Sequence, residues 1–134
     1  VRELAVESCA KRRAWTSKVR DTLGDLLRFL AADPALAHLL LVEGLRGGRD
    51  LYERYQATLQ SFVPLLREGA PEGKGGGRPA GTDEAVVGGI ASLLGSRIMA
   101  GEAEQLEQLQ PAVVEFALTP YVGTAKARRI GSAA

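Results

Sequence analysis

The sequence has a single cysteine, histidine, methionine and tryptophan, and aromatic residues make up only 5% of it. The lone thiol, Cys9, can form no intramolecular disulfide. With no partner base in the sequence it reads as a buried structural thiol and not a nucleophile. His38 has no second His or Cys at metal-ligand spacing, so it reads as a packed or surface imidazole. Paired acid motifs and nucleotide fingerprints are missing too. Gly73-Lys74-Gly75 lacks the following Ser or Thr of a phosphate loop and follows a helix instead of a strand. An enzyme is therefore the least favoured reading, with no catalytic residue, no metal and no cofactor expected.

No one sign of charge dominates: 17 Lys and Arg against 16 Asp and Glu leave a net charge of +1. That excludes a global field drawing the chain onto nucleic acid or anionic lipid. Lys11, Arg12, Arg13, Lys18 and Arg20 form a local basic cluster, but without interleaved aromatics they read as a solvated face or a seam to another domain. No apolar run reaches the roughly 18 residues of a membrane span. Val1 to Arg13 has no apolar core or cleavage site of a signal peptide. No membrane contact and a cytoplasmic location are the expectation. Hydrophobic residues at 46% and charged residues at 25% are ordinary for one folded domain.

Period-two alternation is also lacking, whereas apolar residues recur three and four apart, so the fold class is all-α with about six helices. Val1–Ala14 forms a first helix with a thin apolar face of Leu4, Ala5 and Cys9, ending at Lys11 to Arg13. Thr16–Ala32 forms a second, with Val19, Leu23, Leu26, Leu27 and Leu30 in a stripe. Asp33-Pro34 stops it and caps a short helix running to Leu45, apolar nearly all round and hence expected to be central. Gly47-Gly48 breaks the chain before a fourth helix from Arg49 to Glu68, kinked at Pro64. Residues 69–81 form a flexible Gly/Pro loop. Thr82 caps a fifth helix with Asp83 and Glu84 in its first turn, ending near Ala100. The last helix covers about Ala103 to Tyr121 with a restart at Pro111, and 124–134 is a disordered tail.

The strings ADPALAHLLLVEGLRGG, FVPLLREG and VVGGIASLLGSRIMAGEAEQLEQLQPAVVEFALTPYVG, with a Gly/Pro loop between the last two, resemble the C-terminal domain of TetR-family transcriptional regulators. The likeness spans about residues 15 to 123. It implies a ligand-binding and dimerisation domain over 15–123 that holds a small apolar effector. It also implies that the last two helices pair with those of a second subunit in a four-helix bundle. On the resemblance, 1–14 is the connecting helix towards a DNA-binding domain, and the helix-turn-helix that would read DNA is absent from this sequence.

Ala85, Gly88, Gly89, Ser92, Gly95 and Ser96 lie on one side of the fifth helix. Glycine costs up to about 1 kcal/mol against alanine in a helix interior, so this stripe needs close helix approach as its reason. The neighbour is either another helix of the same chain or, as the resemblance implies, a second subunit. Leu109, Val113, Phe116, Ala117 and Tyr121 on the last helix are the matching candidates, and a homodimer would bury about 1,200 Å² or more. The resemblance also places Trp15, Leu23, Leu27, Leu30, Tyr52, Tyr55, Leu59, Phe62, Ile90 and Leu94 around the effector, with the indole and phenol groups as polar contacts. The plainer reading of each is a filled core. Glu43 is a candidate polar contact or a solvent-facing helix end.

Two functions follow: a homodimeric ligand sensor for a TetR-type repressor, or a standalone helical interaction module that pairs with a full-length relative.

Overall fold

A computed structural model describes residues 2–68 and 78–133, with the side chains of 2–10, 12 and 45 left aside. The fold is all-α, with about six substantial helices and no strand among the described residues. Helix α1 spans Arg2–Ala32, and α2 (Pro34–His38), a π-helical turn (Leu39–Glu43) and α3 (Gly44–Arg46) form one bent stretch. Helices α4 (Arg49–Gln60) and α5 (Val63–Glu68) follow. After the loop come α6 (Thr82–Met99), a 3₁₀ helix (Ala103–Leu109), α7 (Gln110–Val122) and α8 (Thr124–Ser132).

The two helices expected over 1–32 are one. The stretch contains no proline and a single glycine, Gly24, so nothing interrupts the hydrogen-bond ladder. The cations at 11–13 are as compatible with a helix interior as with its end. Lys11 and Arg13 are exposed while Trp15 and Thr16, at the expected boundary, are buried. The side-chain readings of Leu4, Ala5, Cys9, Arg12 and Leu45 fall outside the described residues, as do 69–77 of the Gly/Pro loop, including Gly73-Lys74-Gly75.

Asp33 caps α2, its Oδ1 accepting from the Leu36 amide at 3.1 Å. The stretch that follows is not central: Ala37 and Val42 are buried, but Leu39 is 54% and Leu40 46% exposed. The π turn explains the mismatch. Its wider winding displaces consecutive leucines from the register that a 3.6-residue period assigns them.

Pro64 breaks its helix instead of kinking it. Lacking an N–H, it leaves the Gln60 carbonyl without its usual donor, and the chain turns at Ser61 and Phe62. It restarts with Pro64 inside the first turn of α5, where no donor is required. Thr82 does not cap α6. Gly81 holds the cap position, and the Thr82 hydroxyl donates to the Pro79 carbonyl at 2.7 Å.

The largest correction is the tail. Residues 124–132 form α8, with Ala127 and Gly131 buried. Gly123, at φ 88°, turns the chain back onto α7. Arg128 Nε then meets Glu115 Oε1 at 2.6 Å. Basic composition disguised a helix whose packed face is made of Ala127, Gly131 and the half-buried Ile130.

The core runs along the line where α1, α6 and α7 meet, with Val19, Leu27, Leu94, Leu106, Val113, Val114 and Leu118 almost fully enclosed. One end is tied by polar contacts. The Trp15 indole donates to the Leu65 carbonyl at 2.7 Å and stands edge-on to Tyr121, ring centroids 5.5 Å apart. The Tyr121 hydroxyl donates to Asp83, which Arg67 also holds at 2.9 Å. Burial, that hydrogen bond and the Asp83 charge push the Tyr121 pKa far above the ordinary phenol value, against weaker opposition from Arg78 and Arg67. The phenol therefore keeps its proton throughout the neutral range.

Gly131 tests the docking of α8. A Cβ there would stand 2.6 Å from the Pro111 carbonyl oxygen and 3.3 Å from the Glu115 amide nitrogen. Gly131→Ala is expected to destabilise the fold by about 1–3 kcal/mol in urea unfolding, although alanine normally gains about 1 kcal/mol over glycine in a helix. An unchanged or raised midpoint would show that α8 does not pack as described.

Candidate functional site

Helix α4 carries apolar residues at Leu51, Tyr55 and Leu59, with Arg54 and Thr58 between them, all on one face by three- and four-residue spacing, and Phe62 continues that face in the turn after it. Such a face normally seals against a core, yet no α4 residue is buried. It lies across a cleft of about 380 Å³, within the range of small-molecule sites.

The opposite walls come from α1, through Leu23, Leu26, Phe29 and Leu30, and from α6, through Val86, Val87, Ile90 and Leu94. Val19, Leu66 and Val86 in the lining are buried, whereas Phe29, at 53% exposure, joins Leu39 and Leu40 as exposed apolar lining. The π turn therefore matters to the site: it presents Leu39, Leu40 and Leu41 together as lining.

Polar lining is sparse. It consists of Thr22, Arg54, Tyr55 and Thr58, with no carboxylate among the lining residues. The Thr58 hydroxyl is already used, donating to the Arg54 carbonyl at 2.9 Å. Burial, with a smaller contribution from neighbouring Tyr52, raises the Tyr55 pKa, so its phenol stays neutral and able to donate. A cleft of this composition favours an apolar guest by removing hydrocarbon from water. Its lining contains no His, Cys, Lys, Asp or Glu. Among the described residues no group of three or more His, Cys, Asp and Glu could hold a metal ion.

Of the residues proposed to surround an effector, Leu23, Leu30, Tyr55, Leu59, Phe62, Ile90 and Leu94 line this cleft. Three do not. Trp15 is committed to the Leu65 carbonyl and Tyr121, and Leu27 is 1% exposed on the side of α1 that faces the core. Tyr52 points outward at 45% exposure, its hydroxyl accepting from Gln56 at 3.0 Å. The indole and one phenol expected as polar contacts are thus unavailable. Sequence reasoning missed Leu51, Arg54 and Thr58, although the spacing from Tyr55 and Leu59 contains them. It also missed Phe29, Leu39 and Leu40, for which no local signal exists.

His38 and Glu43 lie away from the cleft lining, with Nδ1 and Oε1 3.7 Å apart and both side chains half exposed. Lys18 pairs with Glu68 at 3.2 Å and Arg20 with Asp21 at 3.3 Å, on the surface. Among the described residues no helix is long and apolar enough to cross a membrane.

The small-residue face of α6 is a second feature. Ala85, Gly89, Ser92 and Ser96 are exposed, and Gly88 and Gly95 half-buried. Phe116 of α7 lies 51% exposed beside Gly89, where a Cβ would come within 3.1 Å of its ring. These two residues, with Ile90, Leu93, Ala112 and Val113, line a shallow groove of about 220 Å³. Three proposed interface residues are corrected here. Val113 and Ala117 are 1% exposed and Tyr121 7%, so their side chains belong to the core of this chain and not to an exposed face. Their spacing on α7 places them on its inward side, whereas Phe116 faces out and Leu109 is half-buried.

No protein-family model matches the chain, and neither does any curated protein or solved structure.

An open cleft has a measurable consequence. Leu59→Ala, on a half-buried lining residue, is expected to cost less than about 1 kcal/mol, against about 2–5 kcal/mol for Leu118→Ala in the enclosed core. Equal costs in urea unfolding would mean that the space beneath α4 is filled by protein.

Proposed function

We propose that this chain is the effector-binding and dimerisation part of a TetR-type transcriptional repressor, with the cleft beneath α4 as the site for a small apolar effector. The observation that carries the reading is the helix with an apolar stripe but no buried residue, set across an apolar cleft. A ligand there would complete the burial that the fold leaves undone.

Signal transmission rests on α1. It is unbroken from Arg2 to Ala32, about 46 Å long at 1.5 Å per residue, and contributes Leu23, Leu26, Phe29 and Leu30 to the cleft. A ligand that fits one tilt of α1 better than another shifts the helix as a rigid lever, and only through that difference in affinity. In an intact repressor a DNA-reading domain would sit at the far end of this lever. Two such levers, held by a subunit contact, would set the spacing of two readers on adjacent major grooves. The exposed face of α6 with Phe116 supports that contact. It serves equally for a module that pairs with a full-length relative, and co-purification with an intact repressor would favour that second reading.

Ligand and dimer are tested separately. Screening against apolar small molecules is expected to find compounds that raise the melting temperature with concentration, by the equivalent of about 2.7 kcal/mol at a hundredfold excess over Kd. Ile90→Trp, which fills the cleft, should abolish the shift. Absence of any concentration-dependent shift would remove the sensor reading. In sedimentation equilibrium the chain is expected to be dimeric at micromolar concentration, and Phe116→Asp to weaken the dimer about a hundredfold or more, as loss of a central aromatic anchor does. A monomer at that concentration would remove the subunit contact.

A further inference from the structure

The cleft has one charged residue in its lining, Arg54. Arg20, Arg28, Arg49, Arg67, Arg97 and Arg128 pair with carboxylates. Arg54, like Arg13, Arg46, Arg78 and Arg129, forms no ion pair among the described residues, and of these five it alone lines the cleft. Glu53 is turned to Arg49, one helical turn back, at 3.3 Å. The three-residue offsets to Leu51 and the four-residue offset to Thr58 keep Arg54 on the stripe that faces the cleft.

We infer that the guest of this cleft is a monoanionic amphiphile of the carboxylate class, its hydrocarbon body between α1, α4 and α6 and its carboxylate on the Arg54 guanidinium. The inference rests on the ligand-binding reading of the cleft and adds the chemistry of the head group to it. Three observations carry it. The body of the site is hydrocarbon, through Leu23, Leu59, Ile90 and Leu94. Its lining holds one cation and no carboxylate, so an ammonium head would meet like charge and a multiply charged phosphate would find one partner only. Arginine presents a planar fork that matches a carboxylate with two parallel hydrogen bonds. Arg54 is exposed, so neither charge leaves water fully, and its methylene stem can cover apolar surface while the head stays wet. The neutral Tyr55 phenol is a second donor in the lining, beside the Thr22 hydroxyl.

Three probes of equal chain length separate the contributions: decanoate, decanol and decylamine, each below its self-association concentration, titrated calorimetrically into the full chain and into Arg54→Gln. In the unaltered chain decanoate is expected to bind about three- to tenfold more tightly than decanol, the range for a partly exposed charge-assisted pair. Decylamine should bind most weakly. Added salt should narrow the gap between decanoate and decanol by screening the pair. Arg54→Gln should bring decanoate down to the level of decanol and leave decanol unchanged. Equal binding of decanoate and decanol, or equal weakening of both by Arg54→Gln, would overturn the head-group assignment and leave the apolar cleft standing. Failure of all three to bind would overturn the assignment and the ligand-binding reading together.

Discussion

The hydrogen bond from the Trp15 indole to the Leu65 carbonyl, at 2.7 Å, is the contact on which the remaining architecture depends. It fastens α5 to α1 across a separation of 50 positions in sequence, while the same indole stands against Tyr121 of α7. Tyr121 in turn reaches Asp83 at the start of α6, which Arg67 of α5 also grips. Four helices are therefore joined at one end by groups that are each satisfied, and no buried side-chain polar atom among the described residues lacks a partner. An indole left without that carbonyl would bear an unpaired donor in an apolar setting, which costs on the order of 1–3 kcal/mol. Arg78, 4.8 Å above the Tyr121 ring, covers this junction.

With one end fastened, the other can stay open. Helix α4 is anchored through α5 at its C-terminal side and through the glycines at 47 and 48 at its N-terminal side, and it buries no side chain of its own. Helices α1, α6 and α7 do not share that condition, since each contributes enclosed residues to the core. Stability is thus distributed unevenly: a close-packed seam and, beside it, a helix that buries no side chain and meets its neighbours through half-buried residues such as Tyr55 against Gly44. Segments that move on binding are drawn from the less stable parts of a fold. The long, uninterrupted α1 belongs to both regions, packing Val19 and Leu27 into the seam and turning Leu23 and Phe29 to the cleft.

The all-α class was legible because helical periodicity survives wherever one face is buried, as on α1 and α6. What failed was local geometry set by tertiary packing. Leu39 and Leu40 lie in an apolar run that reads as core, but the π turn leaves both exposed and buries Val42. Residues 124–132 are mostly small or basic, and their packed face holds Ala127, Ile130 and Gly131, the last so close to the Pro111 carbonyl that it leaves no room for a Cβ. In the site, Tyr55, Leu59 and Phe62 were readable as one stripe, whereas Leu51, Arg54 and Thr58 on the same face were passed over. Whether that stripe met a core or a cleft was not readable, since both need the same residues at the same spacing. The inward placement of Val113, Ala117 and Tyr121 was likewise invisible, because α7 is apolar on several sides and its period does not single out one face.

The central claim is that α4 covers a space the protein does not fill. Amide hydrogen exchange across residues 49–60, compared with 86–98 of α6 and repeated with saturating decanoate, measures this directly. In the free chain α4 should exchange orders of magnitude faster than α6, and ligand should slow α4 selectively. Protection of α4 equal to that of α6 without ligand would contradict the open cleft and everything built on it.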